Sequence, residues 1–255
     1  MPSLARRITI FAPDEIPEIV PGDDLAQVFL AAIQDVGEQP ENGDIIVFAQ
    51  KIVSKSESRI VALNTVAPGQ KAQDLAAQTG KDPRVVELIL QESSGIVRIR
   101  EGLLIARHLN GWVVANAGID LSNAGGAETA ILLPKDADQS AENIAKAIAK
   151  AADCEVAVII NDSMGRAWRT GTTGTAIGAY GLAALQDRRG AVDRDGTVLQ
   201  SSEIAVADEA AAAASLLMGQ GSEGLPIVVI RGLDWAFGNG NASDLVRPLE
   251  QDLFR

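Results

Sequence analysis

The sequence predicts a mixed α+β fold with largely antiparallel sheets and flanking helices, on three observations. Apolar, β-rich runs recur along the chain. Several of them follow one another with no helix between, notably from Gly95 to Asn116. Five further segments carry helical periodicity, too few and too unevenly placed for strict βαβ alternation.

In chain order, the first strand is read in "RITIF" (Arg7–Phe11). "IPEIVPGDDLA" then reads as a turn at Pro21-Gly22, with Asp23 or Asp24 capping a helix over Leu25–Val36. A longer strand is expected in "DIIVFAQKIV" (Asp44–Val53), followed by helices over Lys71–Gln78 and Pro83–Glu92. Strands follow in "GIVRI" (Gly95–Ile99), "LLIARHL" and "WVVAN" (Trp112–Asn116). "SAENIAKAIAKAA" reads as a helix capped by Ser140, and "VAVII" (Val156–Ile160) as a buried strand. An Ala-rich helix over Ser202–Met218 ends at Gly219, and "PIVVIRG" (Pro226–Gly232) closes the series. No repeat and no low-complexity linker divides the chain. Residues 1–255 are therefore expected to form one domain, with the weakest joints near 64–70 and 133–140.

Composition narrows the chemistry. The 255 residues are 47% hydrophobic and 22% charged, ordinary usage for a chain that buries a sizeable core. No apolar run reaches membrane-spanning length and "MPSLARRITIFAP" lacks an apolar leader, so a cytoplasmic protein is expected. A formal charge of −12 argues against nucleic acid as partner, but not against a phosphorylated small molecule. Cys154 is the only cysteine and His108 the only histidine, which excludes an intrachain disulfide and a cysteine-cluster metal site. His108, ahead of Asn110-Gly111, is assigned a surface or turn role. A metal here should therefore be hard and oxygen-bound, such as Mg²⁺ or Mn²⁺.

Two segments share a design: "WVVANAGID" and "VAVIIND" each run an apolar strand into an aspartate, Asp120 and Asp162. Each aspartate is followed by short hydroxyl or amide residues, Ser122 and Asn123 in one case and Ser163 in the other. Carboxylates converging at strand ends suit a hard divalent cation; Asx-turns or caps are the structural alternative. Arg166 and Arg169, three apart around Trp168, could contact phosphate or carboxylate, or pair with surface acids. The following "TGTTGTAIGAYG" allows close backbone approach to a ligand, or tight packing. "MGQGSEG" contains G-x-G-x-x-G, but it closes a helix and precedes a strand, the reverse of a dinucleotide fingerprint. Lys51, Lys55 and Arg59 fall at intervals of four, on one face of a helix or of a strand; Lys55 sits among hydroxyl residues, as a phosphate clamp would.

In order and over most of the chain, these segments resemble the coenzyme F420-0:L-glutamate ligase family, the γ-glutamyl ligases of deazaflavin coenzyme synthesis. The matching pieces are "IPEIVPGDDLA", "GDIIVFAQKIVSKSESRIV", "VVANAGIDLSN", "VIINDSMGRAWRTG…AIGAYGL", "VADE" and "LLMGQGSEGLPIVVIRGL". The resemblance implies a family-specific ligase fold in an intertwined homodimer. It also implies an enzyme using GTP and Mg²⁺ or Mn²⁺, with K⁺ as a further ion, to add glutamate to the phospholactyl carboxylate of the coenzyme precursor through an acyl phosphate. It implies metal ligands at Asp120, Asp162 and Gln220 with Ser163 beside them. Nucleotide contacts are implied at Ile16, Pro17, Glu18, Ile19, Gln50, Lys51, Lys55 and Asn123, and along Met218, Gly219, Gly221, Ser222, Glu223, Gly224 and Leu225. Arg166 and Arg169 join the two aspartates as catalytic candidates. The readings kept beside it are a ligase for another cofactor acceptor and a catalytically silent nucleotide- or metal-binding relative.

Overall fold

Five strands make the central sheet of the computed structural model, which describes residues 6–121, 128–233, 235 and 237–253. Strand β1 (Thr9–Phe11) leads to helix α1 (Leu25–Asp35), then β2 (Ile45–Ala49), helix α2 (Gln50–Ser56) and β3 (Ile60–Ala62). Helices α3 (Gln70–Thr79) and α4 (Pro83–Gln91) precede β4 (Ser93–Arg100), β5 (Leu103–His108), β6 (Val113–Ala115) and β7 (Thr129–Ile131). Helix α5 (Ala137–Ala152) is followed by the long hairpin of β8 (Ala157–Arg166) and β9 (Arg169–Tyr180). Short strands β10 (Gln186–Asp187) and β11 (Glu203–Ile204), helix α6 (Val206–Met218) and β12 (Ile227–Arg231) complete the order.

The central sheet runs β1-β12-β2-β8-β9; β2 and β8 are parallel and every other neighbouring pair is antiparallel. Smaller antiparallel sheets pair β4-β5-β6, β3-β7 and β10-β11. The α+β class expected from the sequence is what the chain adopts.

Strand β2 shows why the sheet is central: its residues are apolar on both faces because both are covered. Ile46 and Phe48 face α1 and α5, where Phe29, Ile33, Ile144 and Ile148 are buried. Ile45 and Val47 face α6, whose small Ala207, Ala210, Ala211 and Ala214 bring the helix close. A third cluster packs α3 and α4 against Leu104, Ala106, Ala130 and Leu132.

Three local readings are corrected. The strand expected over Asp44–Val53 stops at Ala49, and Gln50 opens α2; the run "IIVFAQKIV" suits either state, and packing decides. Asp136, not Ser140, caps α5 by accepting the Gln139 N–H at 2.9 Å, while Ser140 sits one turn inside and bonds the Asp136 carbonyl and Glu57. His108 has the turn role but not the surface one: it is 2% exposed, stacked on Trp112, with Nδ1 accepting the Asn110 N–H at the turn. Its Nε2 lies 3.7 Å from Glu92, beyond hydrogen-bond reach, and Glu92 is ion-paired with Arg59. Asp24 caps α1 as expected, accepting the N–H groups of Ala26 and Gln27.

Helices approach β9 through glycines. A Cβ on Gly178 would lie 2.2 Å from the Ala137 carbonyl oxygen of α5, whereas one on Gly165 would meet nothing within 4 Å. Gly178→Ala should therefore destabilise the protein by about 3 kcal/mol in urea unfolding, while Gly165→Ala should shift it by less than about 0.5 kcal/mol. Wild-type stability for Gly178→Ala would contradict this packing.

Candidate functional site

The parallel pairing of β2 with β8 ends at Ala49 opposite Asn161, and the loop entering β12 crosses that edge, with the Ala49 N–H donating to the Pro226 carbonyl at 2.8 Å. Ligands of sheets with parallel strands commonly bind beyond the carboxyl ends of those strands. Here that position is a cleft of about 460 Å³. Its walls come from five separate parts of the sequence: Ile16–Ile19, the start of α2, Asp120, Asn161–Ser163 within β8, and the end of α6 with the loop after it.

Asn161 is the fastener. Its Oδ1 accepts the Thr175 N–H at 3.0 Å, and its Nδ2 donates to Ser215 Oγ at 3.1 Å and Met218 Sδ at 3.3 Å. One buried amide thus ties β8, β9 and the end of α6 together, and fixes where the loop after Met218 begins. Asp162, the next residue, points to the opposite face and into the cleft. Its Oδ1 accepts the Ser163 N–H at 2.8 Å.

Asp120 arrives by a different route. Asn116, Ala117 and Gly118 all have positive φ, at 54°, 53° and 73°, and a Cβ on Gly118 would come within 2.4 Å of Leu133. This left-handed turn buries Ala117 and Ile119 in the third cluster, and the two backbone bonds between Asp120 and Ile131 then present the carboxylate to the cleft. Lys51 binds it at 2.7 Å. Desolvation raises the Asp162 pKa to about 6; the Ser163 N–H works against the rise, Asp120 adds to it and Lys51 opposes it. Two carboxylates sharing one cleft with Lys51 form a charge set that a hard cation would complement. Among the described residues no cluster of three or more His, Cys, Asp or Glu side chains could hold a metal ion. Such a cation would depend on two carboxylates, the Gln220 amide, the Ser163 hydroxyl and a ligand's own oxygens, the open coordination typical of Mg²⁺.

Lys55 is 8% exposed, and its ammonium pairs with Glu18, whose side chain is 79% exposed. A buried cation held only by a solvated carboxylate can exchange that partner for a phosphate. Lys51 and Lys55 share one face of α2 and both line the cleft, whereas Arg59 lies beyond the helix and pairs with Glu92. Gln50 lines the cleft too, but its side-chain oxygen accepts from Ser54.

Most of the residues picked from the sequence therefore meet in one place: Ile16, Pro17, Glu18, Ile19, Gln50, Lys51, Lys55, Asp120, Asp162, Ser163, Met218, Gly219, Gln220, Gly221, Gly224 and Leu225. Ser222 and Glu223 stand outside the lining, the Glu223 carboxylate turned back to accept the Gly221 N–H. Arg166 and Arg169 are opposite one another at the far end of the hairpin, exposed and outside the cleft of this chain. They do so because β8 does not stop after Asp162; the Thr- and Gly-rich β9 pairs with it to the end. Ser122 and Asn123 lie outside the described residues. The sequence reading missed Asn161, Ala49 and Pro226; a buried Asn beside a strand-end aspartate was the available signal.

Comparison with known proteins identifies relatives over most of the chain. The family model for F420-0:gamma-glutamyl ligase matches residues 14–232. The coenzyme F420:L-glutamate ligase of Methanothermobacter thermautotrophicus is 44% identical over 250 residues, 97% of this chain and 99% of that protein. The protein of the same name from Methanocaldococcus jannaschii is 45% identical over 215 residues, 84% of this chain and 86% of its own. That from Archaeoglobus fulgidus is 38% identical over 250 residues, 98% and 97%.

The charge set can be checked in the metal-free protein. Carbon-13 NMR of the carboxyl groups should show Asp162 titrating at about 6. Asp120→Asn removes a like charge and releases Lys51, so the Asp162 midpoint should move down toward the usual carboxylate range. An unchanged midpoint would mean the two carboxylates do not sense each other.

Proposed function

The chain belongs to the F420-0:gamma-glutamyl ligase family, and we propose that it joins L-glutamate through an amide bond to the phospholactyl carboxylate of the deazaflavin precursor F420-0, consuming GTP with a divalent cation. The observation that carries the reading is the coincidence, in one cleft, of the paired carboxylates Asp120 and Asp162 with the lysines Lys51 and Lys55.

A carboxylate is a poor electrophile, because its oxygen is a poor leaving group. If a carboxylate oxygen of the acceptor attacks the γ-phosphorus of GTP, GDP leaves and an acyl phosphate forms. The amine nitrogen of glutamate then attacks the acyl carbon, phosphate departs with the carbon–oxygen electron pair, and the nitrogen loses a proton. Neither step needs a protein nucleophile, which fits a chain whose only histidine is buried beside Trp112.

The protein's part is then to position three substrates and balance charge as it moves. Lys55 would exchange Glu18 for a phosphate oxygen, and Lys51, at the mouth of α2, would leave Asp120 for another. Asp120, Asp162 and Gln220, with Ser163 alongside, would hold Mg²⁺ or Mn²⁺, which when bound supplies Lewis acidity at the phosphates. In the Gly219–Gly224 loop the Glu223 carboxylate accepts the Gly221 N–H, and a phosphate would take its place there. With the Gln50 side chain engaged by Ser54, its contribution would come from the backbone. Arg166 and Arg169 enter this scheme only from a second copy: the exposed hairpin tip, with Trp168 at 86% exposure, suits the homodimer that the reading includes. There they could bind acceptor phosphate or glutamate carboxylates.

Purified protein given GTP, Mg²⁺, L-glutamate and F420-0 should yield glutamylated deazaflavin and GDP by mass spectrometry. Asp162→Asn should lose at least about a thousandfold in turnover while keeping the wild-type unfolding midpoint, since removing one charge-stabilising group costs roughly that much. Lys55→Met should raise the KM for GTP about tenfold or more, the worth of one charge-assisted contact. Normal turnover by Asp162→Asn would end this assignment.

A further inference from the structure

Resting on that reading, we propose that the acceptor's aromatic ring system and phosphodiester occupy a second cleft, between β5–β6 and the turns after Asn241. This cleft has a volume of about 580 Å³ and is lined by Arg107, Trp112, Val113, Met164, Thr175 and Val246, among others.

Strand register ties the two clefts together. Thr175 is the cross-strand partner of Asp162, and Met164 follows Asp162 by two residues. All three side chains therefore leave the hairpin on one face. The faces are identifiable: a Cβ on Gly174, next to Thr175, would strike Ala211 and Ser215 of α6, so Asp162, Met164 and Thr175 lie on the side away from α6. Asp162 lines the first cleft, Met164 and Thr175 the second. A ligand lying along the second cleft thus brings one end to within roughly 7 Å of the Asp162 position, the spacing of alternate residues on a strand. An acceptor whose carboxylate must meet the γ-phosphate of a nucleotide needs that junction.

The walls fit the remainder of such a molecule. Trp112 is held by the stack on His108, with centroids 5.3 Å apart and planes 26° from parallel. A fixed indole among Val113, Leu245, Val246 and Pro248 suits a planar heteroaromatic ring. The Arg107 guanidinium makes no ion pair among the described residues, and offers a bidentate site to a phosphodiester. Its apolar wall and its size speak against free glutamate, which would leave most of the volume to water.

Two variants, one at half-buried Arg107 and one at exposed Val113, test the assignment. Arg107→Gln removes the charge, and Val113→Trp, at a site 44% exposed, blocks the cleft. Each is expected to weaken F420-0 about tenfold or more, both in KM and in equilibrium binding followed by the deazaflavin's fluorescence without GTP, while the KM for GTP stays within about twofold. Circular dichroism should confirm that both variants fold. Unchanged F420-0 binding in both variants overturns the proposal. A matching rise in the KM for GTP also overturns it, because the cleft would then serve the nucleotide. Should the wild type bind F420-0 but not turn it over, the ligase reading fails while the binding arm still decides the cleft. A wild type that does not bind F420-0 overturns the cleft assignment too.

Discussion

Asp162 stands just past the last pairing of β8 with β2, and its carboxylate shares a cleft with Asp120 and the Lys51 that Asp120 binds. Bringing two carboxylates together in a desolvated cleft costs free energy, and the fold has to hold them there against that cost. The buried strands β2 and β8 supply the rigidity, since side chains are fully covered on both faces of the sheet, Phe48 and Ile160 on one and Val47 and Ile159 on the other. The left-handed turn at Asn116–Gly118 supplies the second carboxylate from a separate hydrophobic cluster. Unfavourable charge at a fixed place is an expense for a folded chain and an advantage for one that binds a cation and an anionic substrate together.

The same arrangement suits the proposed chemistry. Activating a carboxylate by phosphorylation asks the protein for position and charge, and the cleft offers both signs: carboxylates on one wall, Lys51 and Lys55 on another. Both lysines of the cleft are paired, Lys51 with Asp120 and Lys55 with Glu18. Binding a nucleotide with its metal would replace each pair by a stronger one. Glycines in the Gly219–Gly224 loop then let backbone approach, and the Asn161 amide keeps that loop in register with β8.

Much of this was legible in the sequence, for local reasons. Strand-end aspartates after apolar runs, a helix ended by Gly219 and the cap at Asp24 are all statements about neighbours in the chain, and each was read from residue type and spacing. What could not be read depended on partners far away. That β8 continues to Arg166 is decided by the pairing offered by β9, so the arginines read as neighbours of Asp162 stand instead at the hairpin tip. Whether "QKIV" is strand or helix is decided by packing, which closes Gln50–Ser56 into about two helical turns that deliver both lysines. His108 did leave a signal: Leu104, Ala106 and His108 alternate on the buried face of β5, and that alternation outweighed the nearby turn residues.

The coupling of the two carboxylates to a metal–nucleotide pair is the claim on which everything else rests. Equilibrium binding of Mn²⁺, followed by electron paramagnetic resonance with and without GTP, tests it directly. The account expects Mn²⁺ to bind about tenfold or more tightly when GTP is present, and expects that gain to vanish when Asp120 and Asp162 are both replaced by Asn. Tight Mn²⁺ binding that ignores GTP, or that survives the loss of both carboxylates, would contradict it.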